Sequence, residues 1–369
     1  MSLPAVPGVW RSGDAPASRR VATVLGDGLA LEAGGRLPRV DVAYETWGEL
    51  DPAGANAVLV LHALTGNSHA ASDPDEPGWW DGMIGPGAPI DTNRYYVVCG
   101  NVLGGCQGTT GPASEAPDGR PYGSRFPTVT IRDQVAVEAA LADRLGIDRW
   151  AGIVGGSMGG MRALEWCVSR PERVARAVVV AAPAAATAEQ IALCSLQVRS
   201  IRADPAFHGG DYYDSGERPT TGMAIARGIG HLSYRTADEL QWRFGRQVQG
   251  EEDPLKGGRF AVESYLEHAG DKLGLRFDPN SYVVLSEAMN HHDVGRGRGG
   301  ATRALAGVTA AVTVAGITSD RLYPLALQYQ VAAGLPGAPD VHVIDSDAGH
   351  DGFLVEVDAV GALVRSALA

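Results

Sequence analysis

The segment WAGIVGGSMGGMRALEWCVSR (150–170) decides the fold. Its first part, WAGIVGG, is a short apolar run typical of a strand buried on both faces, and MRALEWCVSR has the pattern of a helix that ends before Pro171. Between them, GGSMG (155–159) fits the pattern G-x-S-x-G. A turn this tight has no room for side chains beside Ser157, and it presents the serine above the sheet near the positive end of the helix. The segment therefore predicts a nucleophilic serine; the alternative is a packing turn of small residues.

Buried strands and helices alternate on both sides of this segment. The strand patterns are AVLVLH (57–62), YYVVCG (95–100), VARAVVVAAP (174–183), VTAAVTVAGI (308–317) and VHVIDS (341–346). The other helix patterns are DQVAVEAALADRLG (133–146), LYPLALQYQVAAG (322–334) and a final helix over 352–368. This alternation predicts an α/β fold with a mostly parallel central sheet and flanking helices. Alternating apolar and polar residues from Leu29 to Leu50 predict a hairpin-like pair of strands at the sheet edge.

The strand patterns stop between about Ala184 and Arg303, where helical segments alternate with loops. We therefore divide the chain into an N-terminal arm (1–20), a core domain (21–183 and 304–369) and a helical lid insertion (184–303). The arm is rich in Pro, Ser, Ala and Arg, and we expect it to be loosely ordered.

Composition excludes several classes of protein. The chain has 369 residues, of which 45% are hydrophobic and 20% charged, as in a globular protein and unlike a disordered one. Its net charge of −12 repels nucleic acid and anionic membranes, so an anionic ligand needs a local basic pocket. No apolar run approaches the roughly 20 residues that span a bilayer, and the first residues lack the features of a secretory signal. We expect a cytoplasmic protein without nucleic-acid or membrane partners.

The four cysteines are scattered through the chain, at Cys99, Cys106, Cys167 and Cys194. No two of them have CxxC spacing, and none has a histidine partner at metal-binding spacing. The sequence therefore indicates neither a disulfide framework nor a zinc site. We expect no metal and no bound cofactor.

A serine nucleophile needs a base, and the base needs a carboxylate that orients it. In a chain with this serine turn, the acid and then the histidine follow the serine, each after a later strand. Asp320 follows the run that ends at Ile317, and His350 follows VHVIDS (341–346). Ser157, Asp320 and His350 are therefore the predicted catalytic triad.

Other residues of the same types fit these roles less well. Asp345 and Asp347 lie too close to His350 in the chain to come from the end of the preceding strand. His291 and His292 fall in the insertion, where adjacent histidines more often pack or face solvent.

An oxyanion hole needs two backbone N–H groups directed at the developing charge. We expect one from Met158, which follows the nucleophile, and the second from Leu64 in the loop HALTG (62–66). His62, at the end of the preceding strand, is expected to support that loop. The alternative for HALTG is an ordinary turn between a strand and a loop.

Five blocks of the sequence together resemble one family. They are LHALTGNSH (61–69), GNVLGGCQGTTGP (100–112), GGSMGGMRALEW (155–166), SDRLYPL (319–325) and AGHDGFL (348–354). The combination is similar to the homoserine O-acetyltransferases, enzymes of methionine biosynthesis with an α/β-hydrolase fold, from about residue 20 to the C-terminus. G-x-S-x-G alone occurs in many hydrolases, whereas this combination is specific. The resemblance also implies the triad Ser157, Asp320 and His350.

The resemblance further implies three substrate-binding residues. Arg227 matches a substrate-binding arginine, Asp351 matches a substrate-contacting aspartate, and Tyr234 is a weaker match. Homoserine is a zwitterion, so an arginine suits its carboxylate and an aspartate its ammonium group. The alternatives are a solvated helix arginine for Arg227 and an N-cap of the last helix for Asp351. One departure is Arg162, where the family pattern would have glutamine.

The activity implied by the resemblance is acetyl transfer from acetyl-CoA, a co-substrate, to the hydroxyl of L-homoserine. It would proceed through an acyl-serine with ping-pong kinetics. Open alternatives with the same triad are a succinyl donor, a serine acceptor and an esterase; a non-enzymatic binding protein would have lost a triad member. The resemblance also suggests a homodimer formed through the insertion. Possible partners for the CoA phosphates, left unranked, are Arg199, Arg202, Arg243 and Arg246.

Overall fold

A computed structural model of the chain describes residues 8–74 and 76–369. The strands in this part of the chain are β1 (Arg20–Leu25), β2 (Leu29–Ala30), β3 (Arg36–Leu37), β4 (Val40–Trp47), β5 (Ala57–Leu61), β6 (Ile84–Gly85), β7 (Ile90–Asp91), β8 (Tyr96–Gly100), β9 (Gly152–Gly156), β10 (Arg176–Val180), β11 (Ala311–Ile317) and β12 (Val341–Ile344). The α-helices are α1 (Ile131–Leu145), α2 (Met158–Ser169), α3 (Ala188–Ala203), α4 (Thr220–Tyr234), α5 (Ala237–Phe244), α6 (Ala261–Arg276), α7 (Pro279–Asn290), α8 (Ala301–Ala306), α9 (Leu325–Gly334), α10 (Gly352–Val355) and α11 (Val357–Leu368).

Eight strands form the central sheet, in the order β1-β4-β8-β5-β9-β10-β11-β12. Strand β4 is antiparallel to β1 and β8, and all neighbours from β8 to β12 are parallel. The predicted mostly parallel sheet is therefore confirmed. Because β5, β9, β11 and β12 run in the same direction, the loops after them meet at one edge of the sheet.

Both faces of the sheet are buried, as the continuous apolar runs predict. In β5, Leu59 and Leu61 pack into a core shared with α1 and α2, while Val58 and Val60 pack into a second core shared with α11. All five residues of β5 are buried. A strand covered by helices on both faces has no polar face, which explains why its sequence does not alternate.

The hairpin expected between Leu29 and Leu50 is wrong. Strands β2 and β3 pair with each other in a small separate sheet, whereas β4 pairs with β1 on one side and β8 on the other. Four consecutive residues of β4, from Val42 to Glu45, are buried. The buried backbone of such a strand needs hydrogen-bond partners on both sides, and β1 supplies those on the outer side.

The N-terminal arm and the last helix also differ from expectation. The expectation that the arm is loosely ordered is wrong for Trp10 and Arg19, which are both buried. Their side chains stack, with 5.2 Å between the guanidinium carbon and the indole centroid. Residues 1–7 of the arm lie outside the described residues. The helix expected over 352–368 is interrupted at Glu356, whose ψ of 56° is not helical and whose carboxylate accepts a hydrogen bond from Ser346 at 2.7 Å.

The segment predicted as an insertion, 184–303, contributes helices α3 to α7, the first residues of α8, and no strand of the central sheet. Helix α4 packs between α3 and α6, and α3 also packs on α7. Within the described residues, no helix is both long enough and apolar enough to cross a membrane.

Helix α2 approaches strand β5 so closely that its first turn requires glycine. A Cβ atom on Gly159 would lie 2.1 Å from the carbonyl oxygen of Leu61, and one on Gly155 would lie 2.4 Å from the carbonyl carbon of Gly159. Both obstacles are backbone atoms held by the sheet and the helix, so neither can rotate away as a side chain would.

We therefore expect Gly159→Ala to lower the free energy of unfolding by about 3 kcal/mol or more, the upper range for overpacking a core. Gly228→Ala is the matched control, because a Cβ at Gly228 on α4 meets nothing within 4 Å. That variant should be unchanged or more stable by about 0.5–1 kcal/mol. Urea denaturation measures both changes, and equal stability of the two variants would contradict the packing argument.

Candidate active site

Ser157 occupies a strained turn between β9 and α2. Its φ of 57° and ψ of −126° lie in a region that residues with a side chain rarely adopt, at a cost of about 1–3 kcal/mol. The amide of Ser157 donates a hydrogen bond to Val180 at 3.0 Å, which ties the turn to the neighbouring strand. The turn is the sharp strand-to-helix geometry that the glycine pattern predicts.

The structure brings the three residues of the predicted triad together. His350 Nε2 lies 2.8 Å from Ser157 Oγ, and His350 Nδ1 lies 2.7 Å from Asp320 Oδ2. All three residues are buried, with exposed fractions of 7% for Ser157 and 4% for each partner. This is the hydrogen-bond chain in which a carboxylate orients a histidine that accepts the serine proton.

Backbone hydrogen bonds orient the carboxylate of Asp320. Its Oδ1 accepts from the amides of Leu322 and Tyr323, at 2.8 and 2.9 Å, so Oδ2 remains directed at His350. The competing residues lie elsewhere: Asp345 accepts from the Thr318 hydroxyl, and His292 lies 3.0 Å from the carbonyl oxygen of Pro183.

Two opposing effects act on the pKa of His350. Burial alone would lower it, but the charge of Asp320 and its hydrogen bond outweigh burial and hold the pKa above the ordinary 6.5. The same charge stabilises the imidazolium that forms when the serine proton is transferred.

The two predicted oxyanion donors lie beside the serine. Met158 is the first residue of α2, so its amide has no partner within the helix. Leu64 lines the same cavity as Ser157, and among the described residues its amide donates no hydrogen bond. Both N–H groups are therefore available to an oxygen bound next to Ser157.

His62 supports the oxyanion loop, as expected from its position. Its Nδ1–H donates to the carbonyl of Ala63 at 2.8 Å, and its Nε2 accepts from the amide of Val102 at 3.1 Å. Burial and the nearby charge of Arg162 lower the pKa of His62 to about 3, so the ring is neutral and its tautomer is fixed. The loop after β5 is thereby joined to the loop after β8.

Arg162, the departure from the family pattern, joins the nucleophile helix to this loop. The fully buried guanidinium donates to the carbonyl oxygen of His62 and pairs with Glu138 at 2.5 Å. Glu138 also accepts from the indole of Trp166 at 2.7 Å. A guanidinium can make these contacts at once because its donors are arranged in a planar fork.

A cavity of about 210 Å³ opens beside the triad. Ser157, His350 and Leu64 line it on the core side, and helices of the insertion line the other side. Arg227, Tyr234 and Asp351 line it as well, so every predicted substrate-binding residue faces the same space as the nucleophile.

The three predicted substrate residues differ in their partners. Arg227 forms no ion pair with any described residue; its guanidinium carbon lies 5.8 Å from the ring centroid of Tyr234. The Tyr234 ring in turn lies 6.0 Å from that of His350. Asp351 occupies the N-cap position of α10, as the alternative expected, but its side chain makes no capping hydrogen bond; it pairs with Arg235 at 3.2 Å through one oxygen.

Sequence reasoning missed two residues of this site. Tyr323 packs on His350 with 5.1 Å between ring centroids, and Arg276, at the end of α6, lines the cavity and donates to the carbonyl of Thr65 at 3.1 Å. Tyr323 belongs to the sequence block that contains Asp320, and its position three residues after Asp320 could have indicated that it lies near the triad. Arg276 belongs to no motif, and only the packing of α6 places it.

None of the four arginines suggested for the CoA phosphates lines the catalytic cavity. Arg202 pairs with Glu287 at 2.9 Å, and Arg243 pairs with Glu239 at 3.0 Å. Within the part of the chain that the structure describes, no group of three His, Cys, Asp or Glu side chains is placed to hold a metal.

The raised pKa of His350 predicts how the reactivity of Ser157 depends on pH. The imidazole must be neutral to accept the serine proton, so reactivity is lost as pH falls through that pKa. We expect acylation by p-nitrophenyl acetate to rise with pH with a midpoint above 6.5. The pre-steady-state burst of p-nitrophenol measures it, with Ser157→Ala as the blank. A midpoint below 6.5 would contradict the geometry.

Comparison with known proteins agrees with the fold. Residues 56–357 match the family model of the α/β hydrolase fold. The homoserine O-acetyltransferase of Thermobifida fusca is 59% identical over the whole chain and 98% of its own length. A crystal structure of homoserine O-acetyltransferase from Bacillus anthracis is 27% identical with a TM-score of 0.88, covering 95% of this chain and 97% of that one.

A solved esterase, E22, is nearly as similar in structure. It is 28% identical, with a TM-score of 0.87 over 95% of this chain and 99% of its own. Backbone similarity alone therefore does not distinguish an esterase from an acetyltransferase. The 59% sequence identity to a homoserine O-acetyltransferase over the full length of the chain does. The chain belongs to the α/β-hydrolase fold and, within it, to the homoserine O-acetyltransferase family.

Proposed function

We propose that this protein transfers the acetyl group of acetyl-CoA to the hydroxyl of L-homoserine through an acetyl-Ser157 intermediate, in methionine biosynthesis. One observation carries the proposal beyond family membership: Arg227, whose guanidinium forms no ion pair with any described residue, and the carboxylate of Asp351 line the cavity that contains the serine nucleophile. A simple ester gives no reason for such a charge pair, whereas the acceptor of this reaction carries a carboxylate and an ammonium group.

The first half-reaction forms the acyl-enzyme. His350 Nε2 takes the proton of Ser157 while the serine oxygen attacks the thioester carbonyl carbon. The amides of Met158 and Leu64 stabilise the negative oxygen of the tetrahedral intermediate. The carbon–sulfur bond then breaks, and His350 returns its proton to the departing CoA thiolate.

The second half-reaction uses the same protein groups, with the homoserine hydroxyl in place of the CoA thiol. His350 takes the proton of the homoserine hydroxyl, and that oxygen attacks the carbonyl carbon of acetyl-Ser157. The bond to the serine oxygen breaks, and His350 gives the proton back to Ser157. In this account Arg227 binds the homoserine carboxylate and Asp351 its ammonium group, while Tyr234 packs between Arg227 and His350.

Thiol release from acetyl-CoA tests the proposed reaction directly. We expect release that depends on L-homoserine, is faster with acetyl-CoA than with succinyl-CoA, and is abolished in Ser157→Ala. Release without any acceptor would instead indicate a hydrolase like the structurally similar esterase. Preference for succinyl-CoA or L-serine would keep the triad and overturn the substrate assignment.

Arg227→Met should separate acceptor binding from donor chemistry. Loss of a charge-assisted hydrogen bond to the carboxylate costs about 1.5–3 kcal/mol, so the KM for homoserine should rise by roughly 10-fold or more. The rate of Ser157 acylation without acceptor should change far less. Arg199→Met, an exposed arginine on α3 outside the cavity, is the control. An unchanged KM in Arg227→Met would remove Arg227 from the acceptor site.

The homodimer is a further part of the proposal. Helices α3 and α4 expose large apolar side chains of the insertion, with exposed fractions of 51% for Leu196 and 53% for Ile225. Light scattering should give twice the chain mass, and Leu196→Glu with Ile225→Glu should shift it towards one chain. A monomer in the unmodified protein would contradict the dimer.

Two expectations from composition stay predictions. The four cysteines are all free and buried, which suits a reducing compartment such as the cytoplasm. The proposed mechanism uses only protein groups and the two substrates, in keeping with the expectation that no metal or bound cofactor is needed.

A further inference from the structure

A second cavity, of about 280 Å³, adjoins the catalytic cavity, since Arg227 and Arg276 line both. We call it the basic cavity. Its lining includes five cationic side chains, Arg227, Arg235, Arg243, Lys272 and Arg276. It therefore concentrates positive charge next to the catalytic cavity in a protein whose net charge is −12.

Carboxylates neutralise only part of this charge. Glu239 pairs with Arg235 and with Arg243, each at 3.0 Å, and Asp351 pairs with Arg235. Lys272 and Arg276 form no ion pair within the described residues. Partial desolvation and the like charge of Arg227 lower the pKa of Arg276, so an anion placed here would relieve repulsion.

His231, which lines this cavity, has a buried ring nitrogen without a hydrogen-bond partner among the described residues. His231 is 8% exposed, and its Nδ1 lies 2.8 Å from the hydroxyl of Tyr265. Its Nε2 has no hydrogen-bond partner among the described residues. Burial and the surrounding arginines lower the pKa of His231 to about 3, so the ring is neutral. A buried ring nitrogen left unsatisfied is costly, and a ligand in the cavity would satisfy it.

We propose that the basic cavity binds the phosphoryl groups of CoA, with Lys272, Arg243 and His231 as their contacts. The inference rests on the proposed function, which makes a CoA thioester the donor. Because Arg227 and Arg276 line both cavities, phosphates bound in the basic cavity would lie next to the space that contains Ser157. Of the four arginines suggested from the sequence, Arg243 lines this cavity, and Arg199, Arg202 and Arg246 do not.

The test compares two donors that differ in the phosphates. S-acetylpantetheine has the same thioester and arm as acetyl-CoA but no phosphate. The measured quantity is the ratio of kcat/KM for acetyl-CoA to kcat/KM for S-acetylpantetheine, with homoserine as acceptor. We expect Lys272→Met and Arg243→Gln each to lower this ratio by about 10-fold, the effect of one charge-assisted contact.

The chain offers a matched control, because its other lysine is Lys256. Lys256 is 84% exposed, pairs with Asp253 at 3.1 Å and does not line the cavity. Lys256→Met should leave the ratio unchanged, and Lys272→Arg should retain most of it. An unchanged ratio in both Lys272→Met and Arg243→Gln would overturn the proposal, as would an equal fall in Lys256→Met.

Calorimetric titration with CoA and with pantetheine separates this inference from the proposed function. We expect CoA to bind more tightly than pantetheine, and the difference to shrink in Lys272→Met. Equal affinities would overturn the phosphate site even if acetyl transfer were established. Conversely, tighter CoA binding without homoserine-dependent turnover would support the site and contradict the proposed reaction.

Discussion

The close approach of helix α2 to strand β5 is the constraint on which the site depends. Because Gly159 lies against the carbonyl of Leu61, the residues just before and just after this contact have fixed relative positions. Ser157 and Met158 precede Gly159, and the loop with Leu64 follows Leu61. The contact therefore sets the separation between Leu64 on one element and Ser157 with Met158 on the other. One helical turn later, Arg162 donates to the carbonyl of His62 and holds the same two elements together.

In the proposed function, specificity depends on side chains around the cavity, because the backbone is shared with a hydrolase. The esterase E22 has nearly the same backbone over 95% of this chain, so neither the serine turn and the sheet nor the fold of the insertion distinguishes transfer from hydrolysis. The insertion and the loop after β12 add charge: Arg227 and Asp351 face the nucleophile, and the basic cavity lies on the far side of Arg227. An acidic protein can attract an anionic donor only through such a local excess of positive charge.

Features that a short stretch of sequence determines could be predicted. Features that depend on contacts between residues far apart in the chain could not. The buried strands and the triad follow from apolar runs, a glycine-rich turn and chain order, each of which is a local signal. The pairing of β4 was missed because β1, its outer partner, is half exposed and has a weak pattern. Trp10 was assigned to a loose arm because composition does not reveal that a single aromatic ring packs on the core. Arg276 reaches the site only because α6 ends beside the oxyanion loop.

Trapping the acyl-enzyme tests the central claim most directly. The protein is mixed with acetyl-CoA in the absence of acceptor, quenched in acid and analysed by intact-protein and peptide mass spectrometry. The account predicts one acetyl group per chain, located on Ser157, which disappears on addition of L-homoserine much faster than in buffer alone. An unmodified Ser157 under conditions of rapid transfer, or an acetyl group lost equally fast to water, would contradict it.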